Sequence, residues 1–266
     1  MKIAFITLSR AGGALFPKLA AEFKDLDFFL HESACPMPKA IAFSEIRNLI
    51  AEIFSRCQAL IIAAPCGVVV RSLEGCMAHK TTDPAVVVLD VGARWSISLL
   101  SGHEGGANDL AVRIANIFGA EPVITTTTEA MKDVIIGVGC RRGVPADEIV
   151  KAVYGALESA GTDLSQVRFF ASADVKANEP GLHEAAVRLG IPLRFLPSAE
   201  IRANAGRFSR SEFVDHNVGL PAVAEPAALL AGRRTKLFLP KTVFHGVTIA
   251  LARECSTWSE LDRETL

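Results

Sequence analysis

The stretch Ser101-Gly102-His103-Glu104-Gly105-Gly106-Ala107-Asn108-Asp109 constrains the chain more than any other, because it joins two segments of opposite periodicity. Before it, Trp95 to Leu100 is short and apolar and reads as a buried strand. After it, Ala107, Leu110, Ala111, Ile114, Ile117 and Phe118 recur at the spacing of one helical face. Strand, glycine turn and helix form the unit of an open α/β sheet, in which such a turn lies at the carboxyl ends of the strands, where ligands bind. Glycines let a ligand approach the backbone, and the first N–H groups of a helix can receive an anion. The same residues also fit a plain connection in which Asn108 or Asp109 caps the helix. His103 favours the functional reading, since a histidine among glycines has no apolar face to serve.

Both halves of the chain alternate strand and helix in this way. Lys2 to Leu8 reads as a strand, with Ser9 to Gly13 turning into a helix that runs to about Phe23. Asp27 to Leu30 is a strand, and Ser44 is expected to cap a helix through Ile46, Leu49, Ile50 and Ile53. Ala59 to Ala63 is a buried strand, Pro65 to Arg71 reads as a glycine-containing turn into a short helix, and His79 to Pro84 is a polar loop feeding the strand Ala85 to Leu89. Glu121 to Ile124 is a further strand, followed by the hydroxyl tract Thr125 to Thr128. There is no G-x-G-x-x-G and no acidic residue at the end of the second strand as read, which disfavours a nicotinamide dinucleotide site.

A fresh strand begins at Val134 and runs into a second glycine turn, Gly137-Val138-Gly139-Cys140-Arg141-Arg142-Gly143, with Pro145 near the start of a helix to about Leu157. Two arginines beside a helix N-terminus make a receptor for carboxylate or phosphate. Val167 to Ala171 is a strand, Ser172 to Gly181 a long polar loop and the stretch to Leu189 a helix. Leu193 to Leu196 follows as a strand, and Ser198 caps a short helix. Phe208 to Gly219 reads as a mobile loop, Pro221 to Leu230 as a helix, Lys236 to Leu239 and Val247 to Leu251 as strands, and the tail beyond Cys255 as frayed. The fold class expected is α/β, with two α/β domains, 1–130 and 131–266, each a mostly parallel sheet flanked by helices.

Composition narrows the partners. Half of the 266 residues are hydrophobic, 21% are charged and the net charge is −1, so the chain can bury a large core and is not a dedicated nucleic-acid binder. The six cysteines show no Cys-x-x-Cys pair, which points to free thiols rather than a structural metal site. With no charged leader before a cleavage site and no apolar run of the roughly 20 residues a membrane span needs, the expectation is a cytoplasmic protein without a membrane partner.

Two motifs carry a resemblance. Leu99-Leu100-Ser101-Gly102-His103-Glu104-Gly105-Gly106-Ala107-Asn108-Asp109-Leu110-Ala111, with Thr82 to Val87 ahead of it, is similar to the amino-terminal domain of the CbiG family. Gly137 to Gly143 and Asp174-Val175-Lys176-Ala177-Asn178-Glu179-Pro180-Gly181-Leu182 resemble its carboxy-terminal domain. Two long, unrelated motifs in the right order are far more specific than a glycine pattern. The chain is a short form: a middle segment found in other members is missing where Thr128 runs almost directly into Val134, and the position of Glu104 is more often apolar in the family.

The resemblance implies a cobalt-precorrin-5A hydrolase of anaerobic cobalamin biosynthesis, opening the ring-A δ-lactone and releasing acetaldehyde to give cobalt-precorrin-5B. In this reading His103 is the general base, as the side chain whose ordinary pKa lies nearest neutrality, with Glu104 or Asp109 orienting it. The N–H groups of Gly105 to Asn108 supply the oxyanion site. Gly102, Gly105, Gly106 and Asn108 would line the substrate. Arg71, Lys80, Arg141, Arg142 and Lys176 would bind its acetate and propionate groups across a cleft between the domains. No cofactor is expected, cobalt entering as part of the tetrapyrrole substrate; a homodimer and transient contacts with other enzymes of the pathway remain open. The alternative is a corrinoid-binding or carrier protein without hydrolase activity.

Overall fold

A computed structural model describes residues 2–208 and 219–255; the loop and tail expected at 208–219 and beyond 255 lie mostly or wholly outside them. The chain divides into two compact units, Met1–Thr126 and Thr127–Leu266.

The first unit contains β1 (Ile3–Thr7), α1 (Arg10–Gly13), α2 (Phe16–Glu22), β2 (Leu26–His31), β3 (Ile41–Phe43), α3 (Ile46–Ile53), β4 (Ala59–Ala63), α4 (Cys66–Ser72), β5 (Ala85–Leu89), β6 (Trp95–Leu100), α5 (Ala107–Phe118) and β7 (Glu121–Val123). The sheet order is β3-β2-β1-β4-β5-β6-β7. Strands β1, β4 and β5 are buried at every position, as expected of parallel strands covered on both faces. Ile3, Phe5, Ile61 and Val87 pack with Leu19 and Ile114 on one face, and Ala4, Ile6, Leu60 and Val88 with Leu49, Ile50 and Val69 on the other.

One strand runs against the expectation. β6 pairs antiparallel with β5, through Val86 opposite Leu100 and Leu89 opposite Ser96, while β7 is parallel to β6. The turn after β6 is therefore not on the edge where β1, β4 and β5 end, as the sequence reading supposed, but on the edge where they begin. It shares that edge with the loop entering β5, whereas the turn Pro65 to Cys66 lies on the opposite one.

The second unit contains α6 (Thr127–Ala130), β8 (Val134–Gly139), α7 (Ala146–Ser159), β9 (Val167–Ala173), α8 (Pro180–Leu189), β10 (Leu193–Leu196), α9 (Ser198–Ala203), α10 (Ala224–Leu230), β11 (Thr235–Phe244) and β12 (Val247–Glu254). The order is β10-β9-β8-β12-β11; the first three strands are parallel and the last two antiparallel. Helices α7 and α8 cover one face through Ile149, Val153, Leu182 and Ala185. On the other face α10 lies so close that a Cβ on Gly137 would sit 1.9 Å from the Ala224 carbonyl oxygen.

Several local expectations are corrected. The first helix is two, α1 and α2, broken at Ala14 and Leu15 ahead of Pro17. Glu45, not Ser44, is the N-cap of α3. Ser198 is the first residue of α9, after the N-cap Pro197, and its hydroxyl donates to Asp174 instead. Pro221 to Val223 precede α10 rather than belonging to it. β11 runs on past Pro240, with one register shift just before it and another spanning it, because an edge strand tolerates a residue that cannot donate to the ladder. Among the described residues no helix is long and apolar enough to cross a membrane.

Candidate functional site

The turn between β6 and α5 closes on itself. Ser101, at φ 58°, ends the strand, and its carbonyl accepts the N–H groups of Gly105 at 3.1 Å and Ala107 at 3.2 Å. The Gly102 carbonyl accepts from Asn108 at 3.0 Å. Gly106, at φ 83°, is the N-cap of α5, a position neither Asn108 nor Asp109 occupies. Three of the four N–H groups expected to form an oxyanion site are thus satisfied internally; among the described residues only that of Gly106 has no internal acceptor.

Packing explains two of the glycines. A Cβ on Gly105 would stand 2.4 Å from Ser101 Cβ, and one on Gly102 would stand 2.8 Å from Thr126 Cγ2. Asn108 is buried, accepting from Ser98 Oγ at 2.8 Å and donating from Nδ2 to Thr126 Oγ1 at 3.1 Å. It bolts the first turn of α5 to β6 and to the threonine tract after β7. Asp109 lies exposed in that first turn, where a carboxylate complements the helix dipole.

The loop entering β5 sits beside this turn. Asp83 is 8% exposed and its carboxylate accepts the N–H groups of Ala78 and His79 at 3.0 to 3.2 Å, which fixes the loop. Lys80 at its tip reaches Glu104 Oε1 at 2.7 Å, and both side chains remain solvent-exposed. The Lys80 ammonium, as hydrogen-bond donor, and the Glu104 N–H hold the Glu104 carboxyl below the usual carboxylate range. The structure therefore brings together Lys80, Glu104 and the exposed His103. Arg71 belongs elsewhere: its guanidinium lies over Gly67 in α4, 3.6 Å from where a Cβ would be.

In the second unit, the loops that follow the neighbouring parallel strands β8 and β9 are joined by a residue the sequence reading did not single out. Glu179 is 9% exposed and accepts the Gly143 N–H at 3.0 Å and Lys176 Nζ at 3.2 Å. The Gly143 hydrogen bond first, then the Lys176 hydrogen bond and charge and the Arg142 charge, hold its carboxyl below the usual range against the cost of burial. Lys176 is thus occupied, whereas Arg141 and Arg142 are exposed on the same turn. The start of α7 already carries acids of its own, Asp147 and Glu148, the first of them paired with Arg188. The signal that could have found Glu179 is its place three residues after Lys176 inside a motif too polar for a mere connection.

Two α/β units, one presenting a self-closed histidine turn beside a lysine–glutamate pair and the other a basic turn clasped by a buried glutamate, define a two-domain α/β protein with polar motifs at its strand ends. Residues 48–129 match the family described as Cobalamin synthesis G N-terminal, and residues 134–252 match Cobalamin synthesis G C-terminus. The chain belongs to the CbiG family. It is 38% identical over 128 residues to Protein CobE of Sinorhizobium sp, covering 47% of this chain and 83% of that one. It is 26% identical over 346 residues to the cobalt-precorrin-5A hydrolase of Salmonella typhimurium, covering 94% of this chain and 97% of the relative. An alignment of 346 residues against a chain of 266 requires gaps, so that relative has positions without a counterpart here. A crystal structure of CobE from the cobalamin biosynthetic pathway is 35% identical, covers 46% of this chain and 89% of its own, and superposes with a TM-score of 0.43.

Proposed function

We propose that the protein hydrolyses cobalt-precorrin-5A, opening the ring-A δ-lactone and releasing acetaldehyde. The observation that carries this reading is the exposed His103 on a turn closed by its own backbone and anchored by Asn108, with the Lys80–Glu104 pair beside it, in a chain matched over 94% of its length by a relative of that name. His103 takes a proton from water as it attacks the lactone carbonyl, and the N–H of Gly106 at the start of α5 faces the developing oxyanion. Ring opening breaks the lactone C–O bond and frees an alkoxide. The alkoxide collapses to the C=O of acetaldehyde as the neighbouring C–C bond breaks, and the electron pair left on the macrocycle takes the proton that the protonated His103 supplies. Glu104 is a poor rival for the base, because its pairing with Lys80 weakens its hold on a proton. Arg141 and Arg142 receive carboxylates of the macrocycle, and cobalt arrives in the substrate.

A second reading, a corrinoid carrier without hydrolase activity, draws on the positions this chain lacks relative to the Salmonella enzyme. Incubating the purified protein with cobalt-precorrin-5A and assaying acetaldehyde separates them: acetaldehyde supports the hydrolase, and an absorbance change on binding without acetaldehyde supports the carrier.

A further inference from the structure

We infer that Glu179 is a positioning residue for carboxylate recognition: by accepting the Gly143 N–H it fixes the turn that presents Arg141 and Arg142. This rests on the reading of that turn as the receptor for the macrocycle's acidic side chains.

The geometry is specific. Gly143, at φ 74°, is where the chain leaves the arginines for α7, and no residue of its own turn accepts its N–H. The acceptor comes from the next strand's loop, through a side chain that is nearly buried. Lys176, itself 11% exposed at the side chain, pairs with the other oxygen of the same carboxylate and fixes its direction. The loop is tied down further by His183, whose Nε2–H donates to the Ala177 carbonyl at 2.6 Å. Glu179 thus occupies the inner side of the turn and leaves the exposed side to the arginines. A floppy guanidinium pair pays its ordering entropy on binding; a turn already pinned from behind spends less.

Two substitutions separate position from charge. Glu179→Gln and Glu179→Ala remove the same negative charge, but only glutamine keeps an oxygen for the Gly143 N–H. The probes are cobyrinic acid, a cobalt corrin with free acetate and propionate groups, and cobinamide, whose corresponding groups are amides, each titrated by absorbance. Wild type is expected to prefer cobyrinic acid. Glu179→Ala should bind it about tenfold more weakly than Glu179→Gln, the scale of one hydrogen bond within a charged site, with cobinamide affinity equal in the two variants. Equal affinities of the two variants for cobyrinic acid, or an equal loss for both probes, overturn the inference while leaving the receptor standing. A wild type without preference for cobyrinic acid overturns the receptor reading and the inference with it. Where loss of the carboxylate leaves the Lys176 ammonium unpaired and the variants do not fold, the same alanine-to-glutamine comparison in a Lys176→Met background gives the answer.

Discussion

The turn after β6 and the turn after β8 look alike in sequence, each a strand running through glycines into a helix, yet they are held by opposite means. The first is closed by its own backbone: the carbonyls of Ser101 and Gly102 take up the N–H groups of Gly105, Ala107 and Asn108. The second is held from outside, its Gly143 N–H bound by Glu179 from the loop after β9. A self-closed turn can display one exposed side chain, His103, with little outside help. An externally braced turn couples the arginines to a second motif 36 residues further along the chain.

That contrast can be broken most forcefully with glycine substitutions. A Cβ at Gly181 would stand 2.1 Å from the Val144 carbonyl oxygen, and one at Gly105 would stand 2.9 Å from that of Ser101. Gly181→Ala should destabilise the second unit by about 3 kcal/mol and weaken cobyrinic acid binding, although residue 181 lies outside the arginine turn. Gly105→Ala should cost about 2 kcal/mol and act only on the His103 turn. Denaturant unfolding with the corrinoid titration checks both; a Gly181→Ala protein that binds cobyrinic acid normally breaks the external-bracing account.

Asn108→Ala comes next. It removes two hydrogen bonds of a buried amide and orphans Ser98 and Thr126, so about 1–3 kcal/mol of stability should go, read by the same unfolding assay. A change below about 0.5 kcal/mol, the range of ordinary surface substitutions, would mean that the backbone alone holds the turn.

Acid tests the brace of the second turn. The Glu179 carboxyl is held below its ordinary range in the folded state, so its contribution is present above the unfolded value of about 4.3 and lost as pH falls through the folded value. The stability difference between wild type and Glu179→Gln should therefore be largest near neutrality and shrink below about pH 4. A difference constant from pH 7 to pH 3 would show that the carboxylate's charge does not matter to the brace.

The smallest effect belongs to Lys80→Met. Its partner pair is exposed, so thermal stability should not change measurably. Release of Glu104 from the ammonium returns its carboxyl toward the ordinary range, and the acid limb of the acetaldehyde-release profile should report any part it plays in orienting His103. A large drop in melting temperature would contradict the exposed geometry.

Much of this was legible in the sequence because buried parallel strands are written as unbroken apolar runs, such as Ala59 to Ala63 and Ala85 to Leu89, and because motif glycines sit at the strand ends. The direction of β6 was also there to be read: only residues 90–94 separate it from β5, too few for a parallel crossover, and that argument places the His103 turn beside Lys80 rather than Arg71. The far half of β11 was hidden by Pro240, whose tolerance depends on the strand lying at an edge. Glu179 and the buried contacts of Asn108 were hidden for a different reason. Their partners lie on other elements, Gly143 for one and Ser98 and Thr126 for the other, and no local pattern records which loop meets which.

The central claim, that the His103 turn opens the lactone, is tested most directly by acetaldehyde release from cobalt-precorrin-5A by wild type and His103→Ala. Wild type should release one acetaldehyde per substrate. The variant should fold normally, since His103 is exposed, and turn over at least about a hundredfold more slowly, the lower end of what a general base contributes. A variant within a few-fold of wild type, or a wild type that binds the substrate and releases no acetaldehyde, would contradict it.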